Sequence, residues 1–383
     1  MTEARKIQLF VPTFRIEETL AEIRTCLERG WTGLGYKTEE FEKAWCEYTG
    51  FPHAHFLNSA TAGLHLAVEL LKESRGWVNG DEVITTPITF VSTNHAILYA
   101  GLKPVFADVD KSLNLSPSSV ASKITGHTKA VMFVGMGGNH ANLSEIAAIC
   151  RSRGLALILD AAHMAGSRID GEHVGAGADV TVFSFQAVKN LPTADSGMIC
   201  FDDPKLDEEA RKRSWLGINK NTFARTAQSG SYRWEYDVES IGYKYNGNSV
   251  MAAMGLVALR YLEQDNAYRR QIAEWYDHAF RRHTDVVAPV EHSPGSSRHL
   301  YQMAAENRDA LMVFLNANDI YPGVHYKDNR AYRMYREPDP TATCPVAWEM
   351  SQKLISLPVH IRLSHDDVQH VAKKVIAFYE RTP

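Results

Sequence analysis

Two residues near the middle of this 383-residue chain are placed to form a chemically useful pair. Asp160 closes the apolar run Leu155–Asp160 and opens the segment Asp160-Ala161-Ala162-His163. Lys189 follows a second apolar run, within Phe183-Ser184-Phe185-Gln186-Ala187-Val188-Lys189-Asn190. Short runs that are apolar throughout read as strands buried on both faces of a sheet. Ligands of such sheets gather at the carboxyl ends of the strands. Two strand ends could therefore bring a carboxylate and an amine into one cleft. That pair suits pyridoxal phosphate: the amine forms a Schiff base with the aldehyde, and the carboxylate keeps the pyridine nitrogen protonated, so the ring accepts electrons from a breaking Cα–H bond. Lys189 must lose its proton to be nucleophilic, which burial near other cations favours. The same two residues also read as a strand-end aspartate and a solvated lysine, both common.

Other residues fit the same chemistry. Asn58-Ser59-Ala60-Thr61-Ala62-Gly63 precedes a helical pattern. Small residues there let backbone N–H groups approach a phosphate at a helix N-terminus, or make a simple N-cap. Ser184 could add a hydroxyl to that phosphate. Phe90, in Thr89-Phe90-Val91-Ser92-Thr93, could stack on a pyridine ring or sit in the core. Other motifs fail. Gly135-Met136-Gly137-Gly138-Asn139-His140 has His140 where a dinucleotide loop needs its last glycine, and no P-loop, H-E-x-x-H or G-x-S-x-G is present. The sixteen histidines show no metal-ligand spacing, and the five cysteines are scattered, without a C-x-x-C pair or a disulfide framework.

The elements that must position these residues alternate. Strands are predicted at Glu82–Thr85, Pro104–Ala107, Ala130–Val134, Ala156–Asp160, Val180–Phe185 and Met198–Phe201. Helices lie between them: Ala60–Lys72 places Leu64, Ala67, Val68 and Leu71 on one face, and Ser144–Arg153 has Ser144 as N-cap and Gly154 past its end. Strand–helix–strand alternation means a mainly parallel sheet covered by helices. A smaller α+β region follows, with a long helix Leu259–His283, a loose Pro/Gly/Ser stretch at Pro294–Ser297, a helix Arg308–Asn318, and a last amphipathic helix after Ser364 with Val368, Val371, Val375 and Phe378 as its stripe. The expected organisation is a large domain at 1–258 and a small one at 259–383.

Composition narrows the function classes. At 45% apolar and 22% charged residues the chain can build a large soluble core, and a net charge of −4 argues against a nucleic-acid binder, which needs a concentrated basic surface. Runs such as Leu155–Leu159 and Ala130–Val134 are far short of the ~20 apolar residues that span a bilayer. The charged start Met1-Thr2-Glu3-Ala4-Arg5-Lys6 has no secretory h-region. The expectation is a cytoplasmic enzyme without membrane or nucleic-acid partners and without a metal.

Several blocks, in order along nearly the whole chain, resemble the DegT/StrS-type sugar aminotransferases. They are Gly30-Trp31-Thr32-Gly33, Ser59-Ala60-Thr61-Ala62-Gly63-Leu64-His65, Gly80-Asp81-Glu82-Val83-Ile84-Thr85, Asp160-Ala161-Ala162-His163, Phe183-Ser184-Phe185 with Lys189, Gly242-Tyr243-Lys244-Tyr245-Asn246, Gly323-Val324-His325-Tyr326-Lys327 and Leu357-Pro358. The Asp-Ala-Ala-His and Gly-Tyr-Lys-Tyr-Asn variants are most similar to the branch containing the UDP-4-amino-4-deoxy-L-arabinose aminotransferase. The resemblance implies an α/β, aspartate-aminotransferase-like fold (fold type I) with a large, mainly parallel seven-stranded sheet and a smaller C-terminal α+β domain. It implies pyridoxal 5'-phosphate as cofactor, Lys189 as its aldimine and proton shuttle, Asp160 at the pyridine nitrogen and His163 at the phenolic oxygen. Phe90 would stack on the ring, and backbone at Ala60 and Thr61 with Ser184 would hold the phosphate. Lys244 would reach the phosphate of the other subunit, making a homodimer with shared sites.

The activity implied is amino transfer, most simply from L-glutamate, to a nucleotide-linked keto sugar, a 4-keto or 3-keto deoxysugar. His325, Tyr326, Lys327 and Arg225 are substrate-contact candidates; Arg225, Arg233 and Lys327 also suit a diphosphate or stand as solvated charge. Family dehydratases carry His in place of the lysine, so Lys189 argues against dehydration. Departures occur at Gly135–Asn139, at Asp195-Ser196 and at Asp328-Asn329-Arg330-Ala331-Tyr332, loops near the expected sugar site. Alternatives are a keto sugar without a nucleotide, a cyclitol ketone, a lyase or desulfurase using Cys344, and a non-catalytic protein that keeps the fold.

Overall fold

Apolar, β-branched stretches bounded by turn residues build the central sheet. The computed structural model describes residues 6–219, 236–284, 286–336 and 340–381. Its strands are β1 (His53–Leu57), β2 (Glu82–Thr85), β3 (Lys103–Phe106), β4 (Thr128–Val134), β5 (Ala156–Asp160), β6 (Val180–Ser184) and β7 (Gly197–Phe201). They lie in the order β1-β7-β6-β5-β4-β2-β3, with β7 antiparallel to both neighbours and the rest parallel. Every residue of β5, β6 and β7 is buried, as expected of strands covered on both faces. The six predicted strands are present within a residue or two of their bounds. β1 went unrecognised because two of its five residues are histidines. His55 is nevertheless buried, since Glu42 and Ser214 satisfy its two ring nitrogens at 2.9 and 2.7 Å.

Helices cover both faces. They are α1 (Ile16–Glu28), α2 (Tyr36–Thr49), α3 (Ala60–Ser74), α4 (Val91–Tyr99), α5 (Pro117–Lys123), α6 (Leu143–Arg153) and α7 (Pro204–Ser214). α3 starts where Ser59 accepts the Ala62 N–H at 3.1 Å, and its predicted face of Leu64, Ala67, Val68 and Leu71 is buried. For α6 the expected Ser144 cap is incorrect. The helix begins at Leu143, and Asn142 stands at the cap position with φ +68°, its side chain bonded instead to Asp110 and the Leu115 carbonyl. Gly154 ends α6 in the left-handed region, as predicted.

The long helix α8 spans Ser249–Phe280, ten residues earlier at its start than expected and shorter at its end. Asn248 caps it by accepting the Met251 N–H at 3.0 Å. Its first half hides from a periodicity reading because it is apolar over a wide arc: Ala252, Leu256 and Leu262 enter the core of the large sheet. Its second half sends Ile272, Ala273, Tyr276 and Phe280 into a second core. The expected 258/259 division therefore falls inside one helix of about 48 Å. The second core is built on the antiparallel sheet β8 (Val287–Pro289), β9 (Tyr301–Ala305) and β10 (Leu354–Leu357), with helices α9 (Arg308–Asn316), α10 (Pro345–Lys353) and α11 (His365–Arg381). Val368, Val371 and Val375 of α11 are fully buried there. Ile7–Gln8, at the other end of the chain, pairs in parallel with Ile320–Tyr321 and joins the same core. Among the described residues no helix is long and apolar enough to cross a membrane.

Candidate active site

A cavity of about 630 Å³ opens over the carboxyl edge of β5 and β6, and both residues of the predicted pair line it. Asp160 ends β5 and is 3% exposed. Its Oδ2 accepts the Thr93 hydroxyl at 2.7 Å and its Oδ1 the Ala162 N–H at 3.1 Å. Burial pushes its carboxyl up from the usual range; the two hydrogen bonds and the Lys189 charge oppose that. A cationic N–H in the cavity would satisfy this carboxylate.

Lys189 sits on the loop joining β6 to β7. That loop is braced across its width: Thr193 N–H and Oγ1 both donate to the Phe185 carbonyl, Phe185 N–H donates to Ser196, and Ala187 N–H to Ala194. Beside the lysine, the buried Asn190 amide donates to the Asn266 side chain at 2.7 Å and to the Ser297 carbonyl at 2.9 Å. Burial holds the Lys189 amine down to about 8, against the pull of Asp160. Near neutral pH a useful fraction is therefore an uncharged nucleophile.

His163, three residues past Asp160, is 7% exposed. Its Nδ1 accepts the Gly137 N–H at 3.2 Å, so the ring proton belongs on Nε2, which points to the Tyr326 hydroxyl at 3.4 Å. Burial, Lys189 and His325 hold the imidazole well below its ordinary value, leaving it neutral. Phe90, 57% exposed at the start of α4, faces Tyr326 at a centroid distance of 6.0 Å.

The far wall is the N-terminus of α3. Ser59 occupies the Ala62 amide, and the amides of Ala60 and Thr61, which have no intrahelical acceptor, lie at the cavity with Ser184. Orphan amides, the helix dipole and a hydroxyl together suit a phosphate. Gly197, first residue of β7, lets this helix end approach the sheet: a Cβ there would stand 2.6 Å from the Ala60 nitrogen. A phosphate cradle, a flat-walled slot, a buried carboxylate and a lowered lysine amine together fit pyridoxal phosphate.

The cavity thus brings together Ala60, Thr61, Phe90, Asp160, His163, Ser184, Lys189, His325 and Tyr326. It does not include Lys244, which is exposed with its Nζ 3.1 Å from the Trp215 ring centroid, or Lys327, which is exposed with its Nζ 5.1 Å from that of Tyr332. Arg225 and Arg233 lie outside the described residues. Cys344 is buried beneath β3 with its thiol 3.7 Å from the Phe106 carbonyl, and among the described residues no cysteine lines the cavity to serve a desulfurase. Sequence reasoning missed Thr93, whose one signal is its position one helical turn after Thr89. It missed His299, buried 4.4 Å from the His163 ring and bonded to Asn190 at 2.9 Å. It also took Pro294–Ser297 for a loose stretch. Ser296 and Ser297 are buried, and the Ser297 hydroxyl donates to the His163 carbonyl at 2.9 Å, which ties that segment to the site.

The model of the DegT/DnrJ/EryC1/StrS aminotransferase family matches residues 14–376. The spore coat polysaccharide biosynthesis protein SpsC of Bacillus subtilis (strain 168) is 34% identical over 370 residues, 94% of each chain. The solved structure of the aminotransferase TlmJ from Streptoalloteichus hindustanus superposes with a TM-score of 0.89 at 34% identity, covering 99% of this chain and 100% of that one. Spr1654 from Streptococcus pneumoniae, solved in PLP and PMP forms, superposes with TM-scores of 0.88 at 28% identity, covering 97–98% of this chain and 99% of that one.

Proposed function

The chain belongs to the DegT/DnrJ/EryC1/StrS aminotransferase family, and we propose that it is a pyridoxal phosphate-dependent sugar aminotransferase that moves an amino group from L-glutamate to a nucleotide-linked keto sugar. The observation that carries this reading is the meeting of Lys189, Asp160 and His163 with the α3 N-terminus in one cavity. The relation to SpsC, named for polysaccharide biosynthesis, supports a sugar acceptor, and the PLP and PMP forms of Spr1654 support the cofactor.

When bound, pyridoxal phosphate supplies an electron sink that stabilises charge at a deprotonated carbon. The residues of this chain do the rest. Ala60 and Thr61 amides with Ser184 hold the phosphate. Phe90 covers one face of the slot and excludes water from it. Asp160, fixed by Thr93 and the Ala162 amide, holds a proton at the ring nitrogen. His163 donates from Nε2 toward the phenolic oxygen. Lys189 Nζ, partly uncharged near pH 8, is the base that takes a proton and the acid that returns it. We further propose that two copies share their sites, with Lys244 reaching the partner's phosphate. Leu216, Val238 and Ile241, exposed beside it at 45%, 57% and 87%, offer an apolar surface for that contact.

The test is the absorption spectrum of the purified protein with pyridoxal phosphate, before and after L-glutamate. A band near ~420 nm that gives way to one near ~330 nm is the expected outcome, both being properties of the cofactor. Keto sugars, with and without a nucleotide, are then screened for recovery of the first band. Absence of any visible band, with Lys189→Ala indistinguishable from the native protein, would favour a non-catalytic binding protein.

A further inference from the structure

The segment after Tyr326 packs buried side chains behind the cavity wall, against residues that line it. Asn329 is 0% exposed. Its Nδ2 donates to the Thr89 carbonyl at 2.8 Å, its Oδ1 accepts the Asn94 amide at 3.0 Å, and its backbone N–H donates to the Pro87 carbonyl at 2.8 Å. Asn94 is itself fully buried and held by the Thr85 hydroxyl at 2.9 Å and the Thr86 carbonyl at 3.2 Å. These partners run from the end of β2 through the link at residues 86–90 into the first turn of α4. That turn carries Phe90 on the slot wall. It also carries Thr93, whose hydroxyl meets Thr89 at 2.9 Å and Asp160 at 2.7 Å. Three residues before Asn329, Tyr326 faces both Phe90 and His163. One carboxamide therefore joins the segment that forms one side of the slot to the turn that forms the other.

We propose that Asn329 is a positioning residue of the active site: clamped between Thr89 and Asn94, it sets the separation of Phe90 and Tyr326 and, through the α4 turn and Thr93, the seat of the Asp160 carboxylate. The inference rests on the reading that this slot takes the cofactor ring. A carboxamide suits the task because it donates and accepts at once. Asn329→Asp keeps the shape and the acceptor but loses the donor to Thr89, and a buried carbonyl is left without a partner. Asn329→Ala loses both bonds.

The experiment titrates native protein, N329A, N329D, Thr93→Val and the N329A/T93V double variant with pyridoxal phosphate. It reads the dissociation constant and the pH midpoint of the visible band. Both Asn329 variants are expected to bind at least tenfold more weakly and to shift the midpoint by half a pH unit or more. The double variant is expected to shift it by less than the two single shifts together, because the residues act along one path. In the protein without cofactor, amide hydrogen exchange in N329A is expected to quicken together at 89–94 and 323–330. Variants that melt lower but keep the native dissociation constant and midpoint would show a merely structural role. Additive midpoint shifts would overturn the route through Thr93. If N329A does not fold, N329D, of the same shape, decides. A native protein that forms no visible band overturns the cofactor reading itself and this inference with it, whereas a native band unchanged in the variants overturns this inference alone.

Discussion

At the scale of single residues the site works by setting protonation states before any ligand arrives. Lys189 lies at about 8 because burial disfavours its charge. Its nucleophilic form therefore increases as pH rises through 8 and then levels off. The second-order rate of pyridoxal phosphate uptake is predicted to climb about eightfold from pH 6.5 to 7.5 and to flatten above pH 9, measured as growth of the visible band in stopped flow. A flat profile between pH 6.5 and 8 would show an amine already neutral. His163 makes a second prediction. With Nδ1 occupied by the Gly137 amide, Nε2 is the donor. A glutamine side chain places its NH2 near Nε2, whereas asparagine reaches only as far as Nδ1. His163→Gln is thus expected to keep the native visible band within a few nanometres and its cofactor affinity within about threefold, and His163→Asn to lose at least ten times more affinity, about 1.4 kcal/mol. Equal losses would place the useful donor elsewhere. Whereas His163 was reached through the family resemblance, Lys189 and Asp160 were legible because a Schiff-base amine and a carboxylate at a pyridine nitrogen restrict residue type. Thr93, Asn190, His299 and Asn329 were not, because they act through hydrogen bonds that any polar residue could form, and only the fold brings their partners near.

Elements decide how closely the wall of the cavity can approach its floor. α3 aims its first turn at the cavity, and Gly197 on β7 leaves room for that turn. Gly197→Ala is predicted to displace Ala60 and its amide, weakening pyridoxal phosphate binding by tenfold or more while the far-ultraviolet dichroism stays native; isothermal titration reads the first and the dichroism controls for the second. Unchanged affinity would mean that the phosphate is held from another direction. Legibility at this scale follows burial. β5 is apolar from end to end because the sheet covers both its faces, so its pattern survives in the sequence. β1 carries two histidines, one of which, His55, is buried because Glu42 and Ser214 satisfy its ring nitrogens, and the start of α8 is buried over too wide an arc to show a stripe. Pro294–Ser297 has the composition of a linker, yet its hydroxyls and carbonyls are partners for His163 and Asn190.

For the whole molecule, the proposed sharing of sites has a direct consequence. Lys189→Ala and Lys244→Ala would each disable a homodimer. If they act across the interface, mixing the two variants under conditions that exchange subunits is predicted to restore about a quarter of native activity, since half the dimers are mixed and each holds one intact site. No recovery, with mixed dimers present by native mass spectrometry, would place Lys244 outside the partner's site. The pairing of Ile7–Gln8 with Ile320–Tyr321 bears on a different matter, the order in which the protein is made. Ile7 leaves the ribosome more than three hundred residues ahead of its partner strand. At ~5–20 residues per second that is a wait of roughly 15–60 s. Throughout it the strand has no edge to join, while the large sheet, whose strands lie between residues 53 and 201, can already close. The second core, which also takes residues from Leu354–Leu357 and His365–Arg381, can therefore close only after the large sheet, and chaperones would have this interval in which to hold its waiting strand.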